Sequence, residues 1–222
     1  MNRKMGRFLF AVIACLVFTE FGLAQSAAET TTILLAREGQ RFPPRSTATL
    51  HYLEMFRIRH RWVLPDVGYI DFGHSGYREV FIGGGFTLYD GKHVSVIQEG
   101  LFVQASGSKA NQARYAMPWT MIQYHLTEKL GGEAVYFPYI PLNDSGRKQH
   151  VLERAKLERK LANRWKAGAG LGGYKFGEGA WSYRPFVTTT VSTRWGDWEF
   201  WFQRLPEHTA HFQIRYAIAR QH

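Results

Sequence analysis

The chain has 222 residues, a formal charge of +10, 45% hydrophobic and 21% charged residues, 22 glycines and a single cysteine. That composition excludes a disordered tail, and one cysteine excludes an intrachain disulfide framework or a cysteine-built zinc site. The length allows one domain or two small ones.

The first 24 residues read as an export signal. Arg3, Lys4 and Arg7 precede an uncharged apolar run from Phe8 to Phe18, and Gly22-Leu23-Ala24 supplies small residues for a peptidase, so cleavage is expected after Ala24. That run is too short for a spanning helix, which needs about 20 residues. Val12-Ile13-Ala14-Cys15 loosely fits a lipoprotein signal, but Leu16-Val17-Phe18 continue the apolar run where such a signal turns polar. Removal takes Arg3, Lys4, Arg7, Glu20 and the only cysteine, and lowers the charge to about +8. Residues 25–46 form an N-terminal segment ahead of the main domain, 47–222.

That domain reads as strands. The longest uncharged stretch, Tyr115 to Thr127, contains Pro118, Gln123 and His125 and is too short for a helical span. Phe56 to Leu64 alternates, with Arg57, Arg59 and Arg61 on one face and Phe56, Ile58, Trp62 and Leu64 on the other. Tyr77 to Tyr89 leads through the Asp90-Gly91 turn into Lys92 to Ala105. Tyr115 to Thr127 and Glu133 to Leu142 flank Lys129 to Gly132. Val151 to Ala162 is rich in helix formers, although it also suits a strand start. Arg164 to Lys175 alternates Trp165, Ala167, Ala169 and Leu171 against Arg164, Lys166 and three glycines. Trp181 to Thr193 and Asp197 to Leu205 flank Gly196, and Phe212 to Ile218 is the last strand.

These are about nine strands of roughly 9 to 15 residues, long for a soluble sheet and suited to crossing a bilayer at a tilt. Trp62, Trp119, Trp181 and Trp195 fall near strand ends, as interfacial girdles require. Gly83-Gly84-Gly85 and Gly168, Gly170 and Gly172 relieve crowding in a strongly curved wall. The expected fold is an all-β, closed antiparallel up-and-down barrel of eight to ten strands in the outer membrane. Thr32 to Arg37 or Gly68 to Phe72 would supply a tenth strand. The alternative is a soluble periplasmic β-barrel or sandwich binding anionic lipid or polysaccharide. In a nine-strand reading the short turns at Asp90-Gly91, Lys129 to Gly132 and Gly196 do not alternate with long loops.

Over residues 47 to 222 this pattern resembles the small outer-membrane β-barrel proteins of Gram-negative bacteria, a resemblance of class without a family motif. It implies a partnership with outer-membrane lipid or lipopolysaccharide and with the outer-membrane assembly machinery. His93, Ser95 and Glu99 share a strand face, where a histidine takes a serine proton and a carboxylate orients the imidazole. His93-Val94-Ser95 is similar to the His-x-Ser element of the outer-membrane lipid A deacylases, with Val96 where that element continues with asparagine. The resemblance implies a lipid A acyl hydrolase as the alternative to a non-enzymatic barrel.

No ligand spacing for a metal is present. His208 and His211 are three apart, which brings side chains together on a helix rather than on the loop and strand expected there. No metal or other cofactor is expected. Arg57, Arg59, Arg61, Arg164 and Lys166 are the candidate binding residues. Inside a barrel they would attract small anions or pair with Glu54, Glu79, Glu99 and Glu133. Export and the absence of a recognition motif exclude nucleic acid. The expected role is structural, envelope-interacting or that of a narrow anion-favouring pore.

Overall fold

The computed structural model describes the backbone of residues 30–40, 46–58, 61–71, 76–107, 112–204 and 210–220, and the side chains of 66–70, 76–107, 112–203 and 214–216. The expected signal over residues 1–24 lies outside them, as do Arg59, His208 and the side chains of Arg57, Arg61 and His211.

Twelve antiparallel strands follow one another around a closed barrel. They are β1 (Thr30–Gln40), β2 (Ser46–Ile58), β3 (Arg61–Asp71), β4 (Arg78–Asp90), β5 (Val94–Ser106) and β6 (Arg114–Thr127). The second half is β7 (Leu130–Pro141), β8 (Gln149–Ala162), β9 (Trp165–Phe176), β10 (Ser182–Thr193), β11 (Gly196–Arg204) and β12 (Ala210–Arg220). Every strand pairs with its sequence neighbour, and β1 closes the ring between β2 and β12. The expected all-β, closed up-and-down architecture is present, with twelve strands instead of eight to ten.

Each additional strand has a physical origin. Phe56 to Leu64 is the tip of a hairpin, with Arg57 paired to Trp62 and Ile58 to Arg61. The sequence between Ile58 and Arg61 contains no Gly, Asn or Asp, so polar alternation reads on without a turn signal. Arg57 and Arg61 therefore belong to adjacent strands, and a single alternating strand does not carry the three arginines. Thr32 to Arg37 lies within β1, so barrel pairing begins at Thr30 rather than at residue 47. Gly68 to Asp71 is the end of β3.

The third addition, β8, is the stretch rich in helix formers. Arg154 and Lys156 are buried while Leu157, Arg159 and Leu161 are exposed, a polar-in, apolar-out alternation that suits the wall of a membrane barrel. Ion pairs with acids of β7 and β11 hold the inward bases, and that context overrides helix propensity.

With twelve strands the loops sort by length. The links β2–β3, β4–β5, β6–β7, β8–β9 and β10–β11 have two or three residues, and the other six have five to seven. All five short turns lie at the end where β1 begins and β12 finishes. The turns at Asp90-Gly91, at Lys129 and before Gly196 thus share one end.

The two faces of the wall differ chemically. On β4, Val80, Ile82, Phe86 and Leu88 point outward and are about half exposed, while Glu79, Phe81 and Thr87 point inward and are buried. Phe102, Val187 and Phe202 continue the outer apolar band. In water such a surface would be unfavourable by about 25 cal/mol per Å², whereas hydrocarbon accepts it. At the short-turn end Trp165, Val191, Trp198 and Tyr216 stand in successive cross-strand pairs, making a girdle with exposed Trp195 just beyond. Trp119 is no part of a girdle: it is buried and faces inward opposite Glu99.

The interior of β4 to β7 is packed. Phe81, Leu101, Val103, Tyr115, Met117, Trp119 and Val135 form one buried cluster within the barrel. Two inward glycine stripes make room for side chains from flanking strands. A Cβ at Gly83 or Gly85 would overlap the Gly100 or Gln98 carbonyl oxygen of β5, and one at Gly170 would overlap the Phe186 ring and the Ala155 carbonyl of β8. The glycines therefore permit close backbone approach in a curved wall.

Candidate functional site

The second glycine stripe, on β9, underlies a network of charges. Lys156 of β8 pairs in register with Gly170, so its chain crosses a strand without an inward side chain. It then passes β10 and reaches Glu199 of β11, with which it forms an ion pair. Its ammonium also lies 3.4 Å from Glu133 of β7 and 3.1 Å from Glu158. A register shift between Leu152 and Ala155 places Glu153 and Arg154 together, and these two pair as well.

Arg154 Nε donates to Glu133 Oε1 at 2.6 Å. Arg215 of β12 approaches from the opposite side, 3.9 Å from Glu133, 3.5 Å from Glu153 and 3.6 Å from Glu199. Thr190 Oγ1 donates to Glu158 at 2.8 Å and Thr188 Oγ1 to Glu199 at 3.2 Å. The Arg215 guanidinium lies 5.1 Å from the Trp201 ring centre, and Trp201 stacks on Phe186 at 4.2 Å.

β7 and β12 are five strands apart in a ring where six is the maximum. The Arg215–Glu133 and Arg215–Glu153 contacts therefore cross the lumen. Four carboxylates (Glu133, Glu153, Glu158 and Glu199) meet three cations (Arg154, Lys156 and Arg215) among the described residues. Each buried base has at least two acidic partners, the condition under which interior charges are tolerated. The network is a cross-brace of the lumen and a charged constriction in it.

Two further carboxylate sites lie on the other side of the lumen. Glu79 accepts hydrogen bonds from Tyr77 at 2.6 Å and Tyr139 at 2.7 Å. Asp66 and Glu99, both buried, come together over the β4 glycines, since Asp66 pairs with Gly83 and Glu99 with Gly85.

Glu133 is the one carboxylate, of those expected to partner the lumen bases, whose described contacts include a salt bridge. Its partners, Arg154, Lys156 and Arg215, were not among the candidates. Arg164 lies in the β8–β9 turn and Lys166 just inside the short-turn rim, both exposed; Lys166 pairs in register with Thr190, the donor to Glu158, but among the described residues no ion pair joins it to the network. The signal for Arg154 and Lys156 was the Arg-x-Lys-x-Glu alternation of residues 154 to 158, which helix formers around it obscured. Arg215 was visible only as a polar residue in an alternating strand.

His93 lies exposed in the β4–β5 turn, with Nδ1 3.0 Å from the His125 carbonyl oxygen. Ser95 is the second residue of β5, and Glu99 is four residues further, about 13 Å along a strand. Glu99 turns to Asp66, so the structure does not bring the three residues into a relay. Among the described residues no group of three or more His, Cys, Asp or Glu side chains suits a metal ion.

No protein-family model and no curated protein matches the chain. Solved structures do. A KdgM porin aligns with a TM-score of 0.58 at 11% identity, over 86% of this chain and 99% of that one. A NanC porin aligns at 0.53 and 8% identity, over 86% and 100%. The outer membrane protein Omp33 of Acinetobacter baumannii aligns at 0.50 and 9% identity, over 88% and 100%. At such identities the likeness is one of fold, and the chain has the fold of the outer-membrane β-barrel proteins.

Proposed function

We propose that the protein is a narrow, porin-like channel of the outer membrane whose constriction is the network of Glu133, Glu153, Arg154, Lys156, Glu158, Glu199 and Arg215. The observation that carries this reading is the reach of Arg215 across the lumen to β7 and β8, which divides the interior at that level. The outer apolar band, the aromatic girdle and the fold shared with porins support the location and the class.

Entry is set by a different group of charges. Lys160 and Lys166 pair in register at the short-turn rim, and the β2–β3 hairpin that carries Arg57 and Arg61 closes at the same end. This basic mouth favours small anions, while the constriction below it carries four acids against three bases and limits what passes. A pore of this kind needs no chemistry from His93, Ser95 or Glu99.

Single-channel recording in planar bilayers tests the proposal. The wild type is expected to conduct weakly, and Arg215→Ser to conduct more by removing the crossing side chain. Lys160→Glu with Lys166→Glu is expected to lower the preference for chloride over potassium. Silence of both the wild type and Arg215→Ser overturns the channel. It would instead favour a plugged structural barrel, the reading suggested by the buried cluster around Phe81, Val103 and Val135.

A further inference from the structure

The outer wall of β8 carries a basic residue where apolar ones are expected. Leu157, Arg159 and Leu161 project outward in succession, and the two leucines are 41% and 51% exposed. Arg159 is exposed and, among the described residues, has no acidic partner. It pairs in register with Leu130 and Ala167. The adjoining Lys129 accepts a backbone hydrogen bond from Lys160 through its carbonyl oxygen, at 2.8 Å, which fixes the β6–β7 turn beside the end of β8.

Arg164 occupies the next turn and Trp165 the start of β9, its indole donating to Thr189 Oγ1 at 2.6 Å. Further round, Arg194 lies over the exposed Trp195 ring at 4.3 Å. Among the described residues, Glu128, next to Lys129, forms no ion pair with Lys129, Arg159 or Arg164, and Glu158, next to Arg159, pairs instead with Lys156. The three bases of the lumen network, Arg154, Lys156 and Arg215, are by contrast all paired.

We propose that Lys129, Arg159 and Arg164, flanked by Leu157, Leu161 and Trp165, form a binding site for an anionic phospholipid headgroup on the outer wall. An arginine on a lipid-facing wall sends its guanidinium toward the headgroup layer, and a phosphodiester there supplies the missing counter-charge. The leucines and the tryptophan receive the upper part of the acyl chains at the same level. Barrels of this type turn their short turns to the periplasm. The lipid is therefore a phospholipid of the inner leaflet and not lipid A of the outer one. The site stands whether or not the lumen conducts.

Quenching of tryptophan fluorescence by brominated lipid tests the site. The protein is reconstituted in phosphatidylcholine vesicles containing equal mole fractions of brominated phosphatidylglycerol or brominated phosphatidylcholine. The phosphatidylglycerol is expected to bind on the order of fivefold more tightly, as basic residues near an anionic surface imply. Raising the salt is expected to shrink that preference. Arg159→Gln with Lys129→Gln should abolish it, while Arg147→Gln with Lys148→Gln at the long-loop end should leave it intact.

Equal quenching by the two lipids, or equal loss in both double variants, overturns the proposal. So does competition by unlabelled lipid A but not by unlabelled phosphatidylglycerol. If the first double variant does not fold, as judged by heat-modifiable migration, the salt dependence of the wild type decides: a preference insensitive to salt overturns the site.

Discussion

Replacing Lys156 by methionine removes a charge while keeping the length of the side chain. The lysine is 7% exposed, and its partners Glu133, Glu158 and Glu199 are 18%, 10% and 12% exposed, so bulk water screens none of them strongly. After the change, Glu158 keeps Thr190 as a described donor and Glu199 keeps Arg215 at 3.6 Å. Four carboxylates then face two cations. Each pair at about 3.3 Å is worth about 5 kcal/mol before desolvation at an effective dielectric near 20. Desolvation and the like charge of Arg215 offset much of that. Breaking a buried pair from one side costs about 3–5 kcal/mol, and the lower value is expected here because the acids retain other partners. Equilibrium urea unfolding from phospholipid vesicles, followed by tryptophan fluorescence, measures the loss. The exposed Arg147→Gln, in a long loop, is the control and should stay within about 0.5 kcal/mol. Adding Glu199→Met to Lys156→Met should recover part of the loss, giving a coupling energy above about 1 kcal/mol. A Lys156→Met effect no larger than that of Arg147→Gln, with no coupling, would refute the account of the network.

Gly170→Val places a branched side chain against the Phe186 ring and the β8 backbone, and heat-modifiable migration should be lost; a normally migrating barrel would contradict the close approach. Phe81→Ala empties the centre of the lumen cluster over Gly68, with an expected loss of about 3–5 kcal/mol in the same urea assay. His93→Ala should leave the lipid A mass profile of expressing cells unchanged, because His93 and Glu99 do not act on one another; a mass shift on expression that this variant abolishes would restore the hydrolase. Cys15, the one cysteine, lies in the expected signal, so single introduced cysteines report topology. Ser145→Cys in a long loop should react with an impermeant maleimide in intact cells, and Glu128→Cys in a short turn only after permeabilisation. The reverse pattern would invert the barrel.

The class of fold was legible because period-two alternation and strand length are local properties, and residues such as those of β4 and β10 display both. The number of strands was less so. Between Ile58 and Arg61 the sequence holds no turn residue, so two strands read as one. In β8 the sequence Leu-Glu-Arg-Ala-Lys-Leu-Glu carries both a helix period and a strand period, and the acids of β7 and β11, distant in sequence, decide between them. The lumen network was illegible for the same reason: Arg215 meets Glu133 only because closure brings β12 opposite β7. Arg164 and Lys166 were prominent because two bases stood beside glycines, yet their place at a turn put them on the rim.

The miscounted strands also account for the loop lengths. Adding β1, separating β2 from β3 and recognising β8 moves every short turn to one end, so a pattern that counted against a barrel becomes its topology. The same correction redistributes the charge. A net +10 in a barrel invites a positive lumen, but the interior network is slightly acidic among the described residues. The buried bases of the network are paired because the interior is poorly hydrated, so they consume their own acids. Among the described residues, uncompensated bases stand where solvent and headgroups can neutralise them: Arg147 and Lys148 in a long loop, and Lys160, Lys166 and Arg159 at the short-turn end. Lys160 and Lys166 face the mouth there, while Arg159 faces the bilayer. One basic end thus presents two surfaces with different partners, and the direction of each side chain, fixed by strand parity, decides which partner it meets.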